Sequence, residues 1–129
     1  MNKIIVEVSV GELLDKISIL EIKQMKIKDP DKLKFISNEH SILKNQLDSN
    51  VRSDNKLNEL FQSLKVINAK LWVIEDDKRQ CEKDKDFGEK FIKLSRDIHF
   101  LNDDRAKIKL EINNHTGSVI KEIKEYTSY

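Results

Sequence analysis

Leu57-Asn-Glu-Leu-Phe-Gln-Ser-Leu-Lys-Val-Ile-Asn-Ala-Lys-Leu-Trp72 is the stretch that decides how this chain folds. Leu57, Leu60, Phe61, Leu64, Leu71 and Trp72 recur at the spacing of one helix face. The stripe then runs on through Glu75, Arg79 and Glu82, with charged groups where leucines would continue it. A second stripe, Phe87, Phe91, Leu94, Ile98 and Leu101, runs in the same way into Arg105. Charges on a buried face must pair with one another or serve a ligand, because burying them alone is costly. Two long helices packed as a hairpin, with an inward polar cluster, are the first expectation.

The rest of the chain extends that plan. Ser9-Val10-Gly11-Glu12 fits a capping box that opens a first helix running to about Lys28. Asp29-Pro30 stops it and starts the next, with aspartate as cap and proline at the first helical position. Helix two covers about Pro30–Asp48, with Leu33, Ile36, His40, Leu43 and Leu47 inward. After the loop Asp48–Asp54, helix three spans about Asn55–Lys83 and helix four about Phe87–Asn114. Asp86-Phe87-Gly88-Glu89 reads as a second capping box, and Gly117 as a C-terminal cap. Lys3–Val8 alternates Ile4, Val6 and Val8 and is expected to be a short strand. The tail Ser118–Tyr129 fits a strand beside it, a last helical turn or a frayed end. The fold class expected is mainly α, an up-and-down bundle of two long α-hairpins in one domain over residues 1–129.

Composition supports this. The chain has 129 residues, 38% apolar and 36% charged, with one proline and three glycines, which suits long helices with solvated faces rather than a turn-rich β fold. A net charge of +1 supplies no field for nucleic acid or anionic lipid, and the local run Lys23, Lys26, Lys28, Lys32, Lys34 is broken by Asp29 and Asp31. Nucleic acid and membrane are therefore not expected as partners. Cys81 is alone, which excludes an intrachain disulfide or a cysteine zinc site. With no signal or spanning segment to read, the expectation is a cytoplasmic protein. Helices three and four outreach one and two, and the apolar seam left over favours a homodimer.

Seven residues make up the candidate ligand pocket: Glu21, His40, Glu75, Arg79, Asn102, Arg105 and Lys109. Glu21 falls between Val10, Leu14 and Ile17, and the antiparallel turn at Pro30 brings it level with His40. Glu75 and Arg79 are spaced to pair along one helix face. Arg105 is flanked by Asn102 and Lys109, and lies nearest Asn68 and within reach of Trp72. Glu75, Arg79 and Arg105 are expected to be largely desolvated and mutually hydrogen-bonded. Each also has a plainer reading: His40 as a bonded core histidine, Glu75–Arg79 as a surface pair, Arg105 as an arginine reaching solvent. Asp76, Asp77, Asp103 and Asp104 invite comparison with the helical nucleotide pyrophosphohydrolases, which hold magnesium with E-x-x-E and E-x-x-D. Here Glu75, Asp76 and Asp77 are adjacent and fan around the helix, so no metal and no cofactor are expected.

Val8-Ser-Val-Gly-Glu-Leu-Leu-Asp-Lys-Ile-Ser-Ile-Leu-Glu-Ile-Lys23, Leu71-Trp-Val-Ile-Glu-Asp-Asp77 and Asn102-Asp-Asp-Arg-Ala-Lys-Ile-Lys-Leu-Glu-Ile-Asn113 together resemble a family of small bacterial and phage helical proteins known as a domain of unknown function. That resemblance covers nearly the whole chain and implies no activity. Glu12–Glu21 also resembles the first helix of the helical chorismate mutases, which hold a dicarboxylate with arginines and lysines. This helix has no arginine, so Lys16 or Lys23 would stand in, with Arg79, Arg105 and Lys109 gripping an anion. Two function classes follow. The first is a binding or assembly module acting as a homodimer; the second is an enzyme or binding protein with an inward pocket for a small anion.

Overall fold

The computed structural model describes residues 2–129. Four helices follow one another: α1 (Val10–Lys26), α2 (Pro30–Asn50), α3 (Asn55–Asp84) and α4 (Glu89–Thr116). No strand occurs among the described residues, so the fold is mainly α. The boundaries follow the local chemistry. Ser9 accepts from the Glu12 amide at 3.0 Å, Asp29 from Asp31 at 3.0 Å, and Asp54 from Leu57 at 2.7 Å. Gly117 closes α4 in the left-handed region at φ 65°.

α3 and α4 lie along each other, and α1 packs on both, while α2 approaches only α1 at backbone distance. The chain therefore builds a three-helix core with α2 laid against its outer side. Leu14, Leu57, Leu60, Leu64 and Ile112 form the centre, with Val10, Leu47, Val51, Phe61 and Ile108 around it. Burial at the rate of roughly 25 cal/mol per Å² of apolar surface makes this cluster the main source of stability. Gly11 is required here. A Cβ on it would stand 2.6 Å from the Lys109 carbonyl oxygen and 3.0 Å from Asn113 Oδ1, so α1 could not come this close to α4 with a larger residue.

Lengths explain what α1 leaves bare. Its 17 residues span about 26 Å against about 45 Å for the 30 residues of α3. α1 starts beside the N-terminal half of α3 and runs in the same direction, since Leu14 packs with Leu57–Leu64 while Ser18 bonds Asn68. At equal rise it ends near the level of Asp76. The connection between α3 and α4 has its own small contacts: Cys81 is buried, and Phe87 meets Phe91 edge to face at 5.4 Å.

Two expectations fail. Lys3–Val8 is not a strand: no other segment pairs with it, and Ile4 is 91% exposed. An isolated alternating segment has nothing to bond its backbone to. Asp86 does not cap α4, which starts after Gly88 with no side-chain cap; the Asp86 carboxylate instead accepts from Gly88 at 3.1 Å, inside the turn. The tail, residues 118–129, has neither helix nor strand and lies back along α4, where Tyr129 meets Phe100 edge to face at 5.3 Å and bonds Asp103.

Candidate functional site

Asp15 is the centre of the polar architecture. It sits on α1 with a side chain only 2% exposed. Arg105 on α4 grips it with both Nε, at 3.0 Å from Oδ1, and Nη2 on Oδ2. Asn68 on α3 donates to the same Oδ1 at 2.8 Å, and Lys109 stands 3.6 Å from Oδ2. Burial pushes the Asp15 carboxyl up, but the bonds from Arg105 and Asn68 and the charges of Arg105 and Lys109 outweigh it. The carboxyl is held below the usual aspartate range. Asp15 in turn raises the Arg105 guanidinium, against the opposing effect of burial. One carboxylate thus ties three helices together.

Asn68 extends the network. Its Nδ2 donates to Asp15 Oδ1 and to Ser18 Oγ, each at 2.8 Å, while Ser18 Oγ donates to the Asp15 carbonyl at 2.8 Å. A carboxylate only accepts, so the amide nitrogen must face it, and Oδ1 points the other way. Asn68 is 6% exposed; its Oδ1 accepts no hydrogen bond among the described residues and is the part of the side chain left open to water. Beyond Asp15, Lys109 also pairs with Glu12 at 2.7 Å and lies 3.5 Å from Glu122 of the tail. The start of α1 is fastened to α4 by Asn113 Oδ1 on the Gly11 amide at 2.7 Å, and to the tail by Ser118 Oγ on Val10 at 3.1 Å.

A second, separate ion cluster joins α1, α2 and α3. Glu21 bonds His40 Nε2 at 3.1 Å and Lys65 Nζ at 3.0 Å. Burial raises the Glu21 carboxyl, and the bonds from His40 and Lys65 more than reverse this, leaving it lowered. Glu21 and His40 meet at the same level, as the turn at Pro30 requires.

Arg105 and Asn102 stand between two clefts. One, of about 450 Å³, opens between α1, α3 and α4 and is lined by Asn68, Trp72, Glu75 and Arg79 as well as the shared pair. The other, of about 430 Å³, lies between α4 and the tail and includes Lys109, Lys124, Tyr126 and Tyr129. Both volumes fall in the range of small-molecule sites. Of the seven candidate residues, Glu75, Arg79, Asn102 and Arg105 share the first cleft, and Lys109 joins Asn102 and Arg105 in the second. Glu21 and His40 line neither.

The internal arrangement of the cluster needs correction. Glu75 and Arg79 are exposed and make no bond to each other or to Arg105. They lie near the level where α1 ends, so nothing covers them, and they form the rim of the cleft. The buried partner of Arg105 is Asp15, which the apolar stripes passed over. Its signal was present: Gly11, Asp15, Ser18 and Ile22 recur at helical spacing and are all buried. That small and polar stripe faces α3 and α4, beside the leucine stripe. Among the described residues, no three His, Cys, Asp or Glu side chains gather to hold a metal ion. Among the described residues, no helix is long and apolar enough to cross a membrane.

Residues 4–129 match the model of a family described as "Family of unknown function (DUF6165)". The chain belongs to that family. The match takes in α1 to α4 and the tail, and with them Asp15, Asn68, Arg105 and both clefts. No curated protein and no solved structure matches the chain.

Proposed function

We propose that this chain is a small cytoplasmic binding module, built as two α-hairpins, that holds a small polar ligand in the cleft beside Trp72 and Arg105. The observation that carries this reading is the state of Arg105. Asp15 fixes its guanidinium from behind, Asn102 Oδ1 takes one further N–H at 3.4 Å, and the remaining donors stand at the boundary of two clefts. An arginine so held has already lost its side-chain freedom, so a ligand bonding to it pays little for ordering it. The test is a thermal-shift screen of metabolites grouped as anions, polyols, nucleosides and amines. At least one group should raise the melting midpoint of the wild type, because a ligand stabilises the state it binds. A flat result across all four groups sinks the reading.

A homodimer is the second reading, and it rests on a different observation. Val66, Val73, Phe87, Ile92 and Phe100 are 39–55% exposed on α3, α4 and their connection, away from the cover of α1 and α2. A second copy seated on the hairpin would remove this surface from water. Sedimentation at tens of micromolar should then show twice the 15.1 kDa monomer, and Val73→Glu with Ile92→Glu should return it to one. A wild type that stays at 15.1 kDa ends this second reading.

A further inference from the structure

We infer that the ligand of the Trp72 cleft is a neutral polyhydroxylated ring, a saccharide unit, laid on the indole and bonded at its edge by Asn68, Asn102 and the rim charges. This deepens the reading of the cleft as a ligand site and rests on it. Three features of the cleft select the class.

The first is charge. Arg79 and Arg105 face Glu75 and Asp76 around the cleft, two of each sign. Arg105 is already neutralised by Asp15, so an anion would find Glu75 and Asp76 opposed by Arg79 alone. By the same count an amine finds Glu75 and Asp76 against Arg79, but all three are exposed and screened by water, so charge gives it little. A neutral ligand avoids the anion's penalty and needs no such attraction.

The second is hydrogen-bond valence. Asn68 Oδ1 is an acceptor open to water, with no partner among the described residues, beside a cleft that the residue lines. Asn102 Nδ2 makes no bond either, and Glu75 and Asp76 add acceptors while Arg79 adds donors. Hydroxyl groups both donate and accept, so vicinal hydroxyls satisfy such a mixed set where a carboxylate, an acceptor alone at neutral pH, cannot. An acceptor left dry opposite a ligand lacking a donor would count against binding.

The third is the indole. Trp72 is half-buried and lines the same cleft, offering a flat apolar face with negative charge density. The C–H face of a sugar ring suits that surface, while its hydroxyl edge turns to the polar groups around it.

Trp72 is also the one tryptophan of the chain, so its emission reports on this cleft directly. The full chain would be titrated with glucose, galactose, mannose and N-acetylglucosamine into the tens of millimolar, the range fitting a ligand of this size. Inorganic phosphate, citrate, adenosine and choline serve as the contrasting probes. At least one sugar should change Trp72 emission saturably, and Asn102→Ala should weaken it roughly five- to tenfold, the loss of one hydrogen bond, with its melting midpoint kept. Saturation by phosphate, citrate, adenosine or choline with no sugar response would overturn the saccharide assignment and leave the cleft as a site. No response to any probe would overturn both. Sugar binding unchanged by Asn102→Ala would place the sugar elsewhere and also refute the assignment.

Discussion

Arg105→Leu is the perturbation that tests the architecture most directly. It removes two charge-assisted bonds from a carboxylate whose side chain is 2% exposed. Breaking one partner of a buried pair costs about 3–5 kcal/mol, because the survivor is stranded. Here Asn68 stays bonded and Lys109, 3.6 Å away, can move in, so the lower end applies, about 3 kcal/mol. Unfolding a chain of 129 residues releases about 0.27 kcal/mol/K at about 2.1 cal/mol/K per residue, which places the drop in melting midpoint near 11 °C. Asp15→Leu with Arg105→Leu removes both charges and should recover much of this loss. The pH dependence carries a second signature. Without Arg105, burial dominates at Asp15 and raises its carboxyl, so protonation relieves the strain. The deficit of the variant against wild type should be full at pH 7 and already smaller at about pH 4, because the raised carboxyl takes up its proton above that pH while the wild-type Asp15 stays ionised. Calorimetry at both pH values reads this. An Arg105→Leu midpoint within about 1 °C of wild type, a shift worth only about 0.3 kcal/mol, would refute the buried-pair argument.

Gly11→Ala should lose about 2 kcal/mol by chemical denaturation, since the new Cβ meets backbone of α4 that cannot turn aside. On an uncrowded helix surface the same change would gain up to about 1 kcal/mol, so a stabilised variant contradicts the close approach. Glu21→Ala should cost only about 1 kcal/mol in the same assay, because its pair with His40 and Lys65 is partly solvated; a loss as large as that of Arg105→Leu would contradict this ranking. Asp15, Glu21 and Asp54 all have lowered carboxyls, so their stabilisation is complete above about pH 4 and is lost as pH falls through the folded values. An acid titration by circular dichroism should show midpoint stability falling below that pH, and a flat profile down to about pH 2 contradicts it.

Much of the helical frame can be read from residue order alone. Ser9, Asp29-Pro30 and Gly117 each mark a helix end through local chemistry, and local chemistry acts wherever those residues stand. Asp86 misleads because a carboxylate three residues before a glutamate can also close its own turn, and the amide of Gly88 is nearer. Lys3–Val8 misleads because alternation signals a strand only if another edge is available. Charges at Glu75 and Arg79 were readable as stripe positions, but burial also needs a covering helix, and α1 is too short to provide one. Asp15 escaped because an apolar stripe is found by its leucines, whereas this face of α1 meets α3 and α4 through glycine, aspartate and serine.

That contact explains why a costly buried carboxylate belongs here. Gly11 lets the backbones of α1 and α4 approach until no side chain fits between them, and further along the same line of α1 Ser18 accepts a bond from Asn68 of α3. The space left beside Asp15 is filled by long side chains from the other two helices, Arg105 and Asn68, whose polar ends need an acceptor. The acid therefore fixes the level of three helices at once. Sliding α1 by one turn, about 5.4 Å, would break every bond it makes. The same fixation sets the angle of Arg105 and holds the amide nitrogen of Asn68 on Asp15 and Ser18, at the wall of the cleft that Trp72 also lines. Replacing Asp15, Asn68 and Arg105 by packed leucines should then give a chain more stable than wild type, yet one that no longer binds in the cleft. If that triple variant binds as well as wild type, the polar network serves the fold alone.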